Sequence, residues 1–196
     1  MIKVGITGGI GSGKTVVSNL LNNFGYPVYD SDKNAKKLMN FKTELISKII
    51  HHFGSNSYLK NKLNSKFLAS EVFTNRKKLE LLNKIVHPFV KEDFLSWTEC
   101  QYSNIVFKES ALIFELGLNQ ELDYSVLIIS PKELKIQRII ERDNLNRREV
   151  LERMENQWSD DKKQKYADFK IINDNKTLLT NQVVVILDKI KSSIKP

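Results

Sequence analysis

The feature that most constrains the fold of this chain is a glycine-rich segment near its start, Gly8-Gly9-Ile10-Gly11-Ser12-Gly13-Lys14-Thr15. Its spacing, G-x-x-x-x-G-K-[ST], is that of the phosphate-binding P-loop, in which successive backbone N–H groups surround phosphate oxygens. The segment before it, residues 2–7, has the pattern of a buried strand. An apolar stripe at helical spacing follows it, made of Val16, Val17, Leu20, Leu21 and Phe24. Because the motif requires strand, loop and helix in this order, the sequence predicts a nucleoside triphosphate site at residues 9–15.

Two side chains of this loop add chemistry to the backbone cradle. Lys14 can reach the β- and γ-phosphates, which makes it a candidate for catalysis as well as binding. The Thr15 hydroxyl can hold the Mg²⁺ that accompanies ATP. The helix that begins near Lys14 directs the positive end of its dipole at the same anion.

Length and composition limit the class of protein. With 196 residues and 41% hydrophobic content, the chain is long enough for one α/β domain with an inserted subdomain. We expect no membrane partner, since the apolar runs are too short to span a bilayer, and no signal peptide, since the first strand starts at Ile2. The single cysteine, Cys100, excludes an intrachain disulfide and gives no sign of a metal cluster. A cytoplasmic location is therefore expected.

Positive charge is concentrated in one segment of the chain. Residues 33–91 contain 13 Lys or Arg against 3 acidic residues, a net charge of +10. The whole chain has a net charge of +8, so all of its excess positive charge comes from this segment. Such a surface would attract a polyanion, either a nucleotide, a phosphorylated metabolite or nucleic acid. The structural alternative is a set of solvated lysine-rich faces. Because few aromatic residues accompany the charge, we rank a small anion above nucleic acid and expect no nucleic-acid partner.

Strand and helix patterns alternate along the chain, which predicts an α/β fold with a five-stranded parallel sheet. The predicted strands are residues 2–7, 27–30, 104–108, 124–129 and 169–172. We assign residues 1–32 and 101–196 to a nucleotide-binding core, with a charged helical lid at about 138–165, and residues 33–100 to a helical insertion. Pro88 is expected to kink or break a helix of this insertion.

Asp30 and Asp32 come at the end of the second predicted strand. Phosphoryl transfer needs a group that accepts the proton of the acceptor hydroxyl, and cations that neutralise charge in the transition state. Asp32 is the candidate base, and Asp30 could hold Mg²⁺ through water. Alternatively, Ser31 or Asp32 caps the helix that follows, a role that is compatible with catalysis.

Glu109 and His87 are candidates for the acceptor side. Glu109 ends the third predicted strand, where an acidic residue near the metal is typical of P-loop proteins. Its alternative is a solvated loop carboxylate. His87 precedes Pro88 in the basic insertion, on the predicted acceptor side of the molecule.

Arg138 and Arg142 lie four residues apart on one face of a predicted helix. Guanidinium groups delivered in this way from a lid pair with phosphate oxygens, so both arginines are candidates for catalysis. The alternative is an exposed helix with Glu–Arg pairs, which we favour for Arg147 and Arg148.

Several stretches, in order over nearly the whole chain, resemble the dephospho-CoA kinase family. They are residues 4–15, Gly25-Tyr26-Pro27-Val28-Tyr29-Asp30-Ser31-Asp32, Leu82-Asn83-Lys84-Ile85-Val86-His87-Pro88, Gln137-Arg138-Ile139-Ile140-Glu141-Arg142-Asp143, Asn156-Gln157 and residues 167–173. The resemblance implies an ATP-dependent kinase that phosphorylates the ribose 3′-hydroxyl of dephospho-CoA, with residues 33–100 as a CoA-binding insertion. It also implies that Asp32 is the base, that Asp30 lies near the metal, that Asn173 lies near the adenine of ATP, and that Arg138 and Arg142 are lid arginines.

The resemblance includes two departures, both in one segment. Where the family usually reads D-x-P-L-L-F-E, this chain has Glu109-Ser110-Ala111-Leu112-Ile113-Phe114-Glu115. Glu109 is one methylene longer than aspartate, and Ala111 lacks the ring that would stiffen the loop. The carboxylate is retained, so the resemblance still implies an active enzyme.

Two other functions fit parts of the sequence. A nucleoside-monophosphate or other small-molecule kinase would share the P-loop, but the segment 33–91 is longer than such an acceptor site needs. A regulatory NTPase that binds nucleic acid would explain the charge, but not the aspartate pair or the lid arginines. We therefore expect ATP and dephospho-CoA as partners, and a monomer or small homo-oligomer.

Overall fold

The structure is a computed structural model that describes residues 1–73 and 75–193. Its chain divides into two compact units, Met1–Tyr29 with Tyr102–Pro196, and Asp30–Gln101. The strands and helices, in chain order, are β1 (Ile2–Thr7), α1 (Lys14–Asn23), β2 (Val28–Asp30), α2 (Ser31–Phe41), α3 (Thr43–Phe53), β3 (Tyr58–Leu59), β4 (Lys62–Leu63), α4 (Ser65–Phe73), α5 (Arg76–Glu99), β5 (Ile105–Glu109), β6 (Tyr124–Ile129), α6 (Lys132–Asp143), α7 (Arg147–Glu155), α8 (Asp160–Gln164), β7 (Phe169–Ile172) and α9 (Leu179–Ser192).

The predicted five-stranded parallel sheet is confirmed. Its strand order is β2-β5-β1-β6-β7. Strand β1 pairs in parallel with β5 and with β6, and β6 pairs in parallel with β7. The register places Ile6 of β1 opposite Glu109 of β5. The loop after β1 therefore lies at the same sheet edge as the carboxyl ends of β5, β6 and β7.

The main core lies between the sheet and the helices α1 and α9. Its buried members are Val4, Ile6, Val17, Leu21, Ile105, Phe107, Val126, Ile128, Ile171, Val183, Ile186, Leu187 and Ile190. The predicted stripe of α1 is only partly correct, because Val16 and Phe24 are 51% and 41% exposed. These two residues lie at the margins of the helical face that Val17 and Leu21 turn inward.

The second unit is mainly helical. Helix α5 packs against α2, α3 and α4. The buried apolar side chains of this second unit are Leu45, Ile49, Phe53, Leu68, Val86, Phe89, Val90 and Phe94. The hairpin of β3 and β4 was not predicted, since strands of two residues are too short to show alternation. Its turn uses Lys60 and Asn61 in the left-handed region, at φ 48° and 63°, rather than the glycine that would have marked it.

Helix α5 runs without interruption through Pro88, so the alternative of a broken helix is wrong. A proline at this position cannot donate to the carbonyl one turn earlier. Buried side chains on both sides of it, Val86 before and Phe89 and Phe94 after, hold the helix against its neighbours. Burial of this apolar face offsets the lost hydrogen bond.

The charged stretch predicted as helical divides into α6, α7 and α8. Asn144 ends α6 in the left-handed conformation at φ 53°. The side chain of Asn146 accepts a hydrogen bond from the backbone N–H of Glu149 and so caps α7. Ile136, Ile139 and Val150 form a small buried cluster between α6 and α7, against which Ile10 packs.

In the described part of the chain, the helices are too short or too polar to cross a membrane.

We expect Pro88→Ala to stabilise the protein. The substitution restores an N–H donor in the middle of α5 and removes the clash of the ring with the preceding turn. The free energy of unfolding in urea should rise by about 1–3 kcal/mol. Glu92→Ala, one turn later at an exposed position of the same helix, is the control and should change it by less than about 0.5 kcal/mol. A decrease on Pro88→Ala would mean that α5 requires the ring for its packing.

Candidate active site

The loop between β1 and α1 has the backbone form of a P-loop. Gly11 and Gly13 adopt φ values of +78° and +91°, which favour glycine. A Cβ atom on Gly11 would lie 2.6 Å from the carbonyl oxygen of Lys135, and one on Gly13 would lie 2.1 Å from Nδ2 of Asn173. The loop is therefore enclosed so closely that neither position has room for a side chain.

Hydrogen bonds from the surrounding strands and helices hold the carbonyl groups of the loop. The Ser12 carbonyl accepts from Oγ of Ser130 at 3.0 Å and from Nδ2 of Asn173 at 2.8 Å. The Gly11 carbonyl accepts from Nη1 of Arg138 at 3.3 Å. Because these bonds use carbonyl oxygens, they fix the curvature of the loop without using its N–H groups.

Lys14 folds back over the loop that precedes it. Its Nζ donates to the carbonyl oxygens of Gly8 and Gly9 at 3.1 and 3.4 Å. Gly13, which precedes α1, has no side chain, so no side chain at this position caps the first N–H groups of the helix. Both features are suited to a bound anion.

The structure buries Glu109 at the end of β5. Only 8% of this residue is exposed, so the alternative of a solvated loop carboxylate is wrong. Its Oε1 accepts from Oγ1 of Thr15 at 3.3 Å, and its Oε2 accepts from Oγ of Ser18 at 2.6 Å. Sequence reasoning missed Ser18, although its place three residues after Thr15 on one helical face was a usable signal. Hydroxyl and carboxylate oxygens are a donor set that suits Mg²⁺.

The two arginines predicted to belong to a lid differ in their surroundings. Arg138 is half-buried, and besides the Gly11 carbonyl it donates to Ser130 Oγ, Asn173 Oδ1 and Asn175 Oδ1 at 3.1, 3.2 and 2.6 Å. Arg142 has a side chain that is 62% exposed. It donates to both carboxylate oxygens of Asp143, at 2.8 and 3.0 Å, and these hydrogen bonds lower the pKa of Asp143. The structure thus joins Arg138 and Asn173 to the P-loop and leaves Arg142 paired with its neighbour.

Residues 157–163 make contacts that the sequence did not predict. Oε1 of Gln157 accepts from the backbone N–H of Ile10 at 2.8 Å. Nζ of Lys135 contacts Oδ2 of Asp160 at 2.6 Å, and both side chains are largely buried beside Gly9. Nζ of Lys163 contacts Oε1 of Glu115 at 2.9 Å. This segment therefore lies against the P-loop rather than in solvent.

The remaining candidates belong to the unit Asp30–Gln101. Oδ1 of Asp30 accepts from the backbone N–H of Lys33 at 2.9 Å and so caps α2. The expectation that Ser31 or Asp32 would supply this cap is therefore wrong. Asp32 is exposed in the first turn of α2, and His87 is half-buried in α5.

A parallel sheet of this order, with a P-loop after its central strand, defines the class of P-loop kinases. Shikimate kinase from Acinetobacter baumannii has the same fold, with a TM-score of 0.55, 18% identity, and coverage of 100% of this chain and 96% of the other. The family model described as dephospho-CoA kinase matches residues 2–178. The chain belongs to the dephospho-CoA kinase family.

Individual relatives agree with this assignment. Dephospho-CoA kinase from Bacteroides fragilis is 38% identical over 95% of this chain and 91% of its own length. The enzyme from Porphyromonas gingivalis is 37% identical over 98% and 96%. Among solved structures, dephospho-CoA kinase from Campylobacter jejuni has a TM-score of 0.69 at 28% identity, covering 98% of each chain. A Thermus thermophilus protein reaches 0.82 at 30% identity, covering 100% of this chain and 98% of its own.

Gly13→Ala should weaken nucleotide binding, because the added Cβ would clash with the side chain of Asn173, and Gly25→Ala is its matched control. Both glycines have a positive φ, +91° and +84°, but a Cβ on Gly25 would meet nothing within 4 Å. We expect each variant to lose about 1–2 kcal/mol of unfolding free energy from backbone strain. In a titration with ATP, Gly13→Ala should bind at least about tenfold more weakly, whereas Gly25→Ala should match the wild type. Equal affinities for ATP would contradict the enclosed geometry of the loop.

Proposed function

We propose that this protein transfers the γ-phosphoryl group of ATP to the ribose 3′-hydroxyl of dephospho-CoA, which gives coenzyme A and ADP. The observation that carries this proposal is the family match over residues 2–178, which includes the P-loop. The fold supports it, because the loop, the buried Glu109 and the braces from Ser130 and Asn173 lie at the edge where parallel sheets bind ligands.

On the nucleotide side, residues 9–15 hold the phosphates mainly through backbone N–H groups, and Lys14 neutralises the phosphate charge. The Ile10 N–H leaves Gln157 when it turns to a phosphate. Lys14 leaves the carbonyl oxygens of Gly8 and Gly9 when it moves to the phosphates. Asn173 lies near the adenine, and Arg138, which is hydrogen-bonded to it at 3.2 Å, acts as a catalytic lid arginine on the phosphates. Arg142 exchanges Asp143 for a phosphate oxygen when the lid at about 138–165 closes.

Thr15 and Asp30 are the residues that would hold Mg²⁺. The buried Glu109 accepts a hydrogen bond from the Thr15 hydroxyl, which leaves the lone pairs of Oγ1 available to the metal. Bound there with ATP, Mg²⁺ would neutralise the charge that develops on the transferred phosphoryl group. Glu109 also fixes Ser18 at 2.6 Å, so the carboxylate is anchored at both oxygens.

On the acceptor side, Asp32 accepts the proton of the 3′-hydroxyl, and Asp30, His87 and Glu109 help to position the substrate. Since Asp30 caps α2, capping does not require Asp32, and its carboxylate is exposed for this role. The insertion, residues 33–100, offers the positive charge that the pyrophosphate of dephospho-CoA needs. We place this chemistry in the cytoplasm, in a monomer or small homo-oligomer that uses neither membrane nor nucleic acid.

The activity is tested by giving the purified protein Mg-ATP with dephospho-CoA, nucleoside monophosphates or shikimate. We expect ATP-dependent formation of coenzyme A and no comparable phosphorylation of the other acceptors. Omission of Mg²⁺ should abolish turnover. Preferred phosphorylation of a nucleoside monophosphate would replace the proposal with the second kind of kinase, and ATP hydrolysis without any acceptor would favour a regulatory NTPase.

Asp32→Asn should lower kcat by about 100-fold or more, because the amide cannot accept the proton of the acceptor hydroxyl. The KM for ATP should change by less than about twofold. Asp161→Asn is the matched control, since Asp161 is also an exposed aspartate in the first turn of a short helix. An equal, small effect of both substitutions would show that Asp32 only stabilises its helix.

A further inference from the structure

The most completely buried charge of the described residues belongs to Lys163 in α8. Its side chain is 0% exposed. Two acceptors surround its ammonium group: the carbonyl oxygen of Ala111 lies 2.6 Å from Nζ, and Oε1 of Glu115 lies 2.9 Å from it. Removing an ammonium group from water is costly, and such a group is retained only where hydrogen bonds satisfy it.

Both acceptors belong to one turn, residues 110–117, which follows β5. Ala111 stands at the start of the turn and Glu115 near its end, so one ammonium group holds the turn at two points. The Ala111 carbonyl also lies 3.4 Å from Oγ1 of Thr7, the last residue before the P-loop. Oε1 of Glu115 also accepts from the backbone N–H of Trp158 at 2.9 Å. The turn is thereby fastened to β1 and to the segment that begins α8.

The turn directly follows Glu109, the residue whose carboxylate contacts the Thr15 hydroxyl. Glu109 precedes Ala111 by two residues and contacts Thr15 and Ser18. Alanine at position 111 lacks the ring that would restrict its φ angle, so contacts from outside this residue help to fix the turn. A displacement of the turn would move the Glu109 carboxylate away from Thr15.

We propose that Lys163 is a positioning residue, which fixes the turn 110–117 through Ala111 and Glu115 and thereby holds Glu109 against Thr15. Its contribution to catalysis rests on the proposed kinase activity, but its effect on the turn does not. Lys162, its neighbour, lies over the ring of Trp158 and makes no comparable contact with the turn among the described residues. The turn is therefore fixed by the position of the Lys163 ammonium group and not by positive charge in general.

The test uses Lys163→Met combined with Glu115→Gln. The pair removes both charges together, so it leaves no uncompensated buried carboxylate and should fold. The glutamine oxygen can still accept from Trp158, whereas the Ala111 carbonyl loses its main donor. The matched control is Arg148→Met with Glu152→Gln, an ion pair of α7 whose side chains are 89% and 61% exposed.

The first readout is hydrogen–deuterium exchange of the ligand-free protein. Amides of residues 109–117 should exchange at least about tenfold faster in the Lys163/Glu115 variant and at the wild-type rate in the control. The second readout is kcat with Mg-ATP and dephospho-CoA, which should fall about 10- to 100-fold while the KM for ATP stays within about twofold.

A folded Lys163/Glu115 variant with wild-type exchange in 109–117 would overturn the proposal, as would faster exchange with unchanged kcat. If this pair does not fold, Lys163→Leu with Glu115→Leu replaces it and is judged in the same way. An inactive wild-type protein would contradict the kinase activity alone, because the exchange measurement needs no substrate.

Discussion

The structure depends on a constraint set by the P-loop: its N–H groups must point at an anion, so contacts outside the loop must fix its shape. A loop that satisfied its own polar groups would have no donors left for phosphate. Here the carbonyl groups of Gly11 and Ser12 are bonded from outside, by Arg138, Ser130 and Asn173. The loop is thereby held in shape before a nucleotide binds, which lowers the cost of ordering it on binding.

The parallel sheet supplies these outside contacts. Ser130 directly follows β6 and Asn173 directly follows β7, and both strands end at the same edge as β1. Oγ of Ser130 lies 2.7 Å from the carbonyl oxygen of Asn173 and 3.0 Å from that of Ser12, and its single proton is shared between the two acceptors, so the two strand ends and the loop form one network. Sheet order thus determines which residues brace the loop. If another strand took the place of β7 beside β6, Asn173, which follows β7, would no longer lie against Gly13.

Local patterns were enough to predict the sheet and the nucleotide-binding loop. Short apolar runs marked the strands, and glycine spacing marked the loop, because both signals depend on neighbours in sequence. Features decided by distant contacts were not predictable. Pro88 lies inside a continuous helix because α5 is packed on three other helices. The cap of α2 is a local error instead: it comes from Asp30 rather than Ser31 or Asp32, because the helix begins at Ser31, one or two residues earlier than those caps would imply.

The difference between local patterns and distant contacts also explains why the two buried lysines of the charged stretch 132–165 were not predicted. Lys135 and Lys163 pair with Asp160 and Glu115, and the second partner lies 48 positions away in the chain. Nothing in the run of lysines at 162–165 separates Lys163 from its neighbours, because its burial is set by the turn after β5. Apolar side chains of similar volume would fill the same space at lower desolvation cost. They would permit small shifts of the turn, whereas hydrogen bonds to a carbonyl and a carboxylate fix distance and direction together.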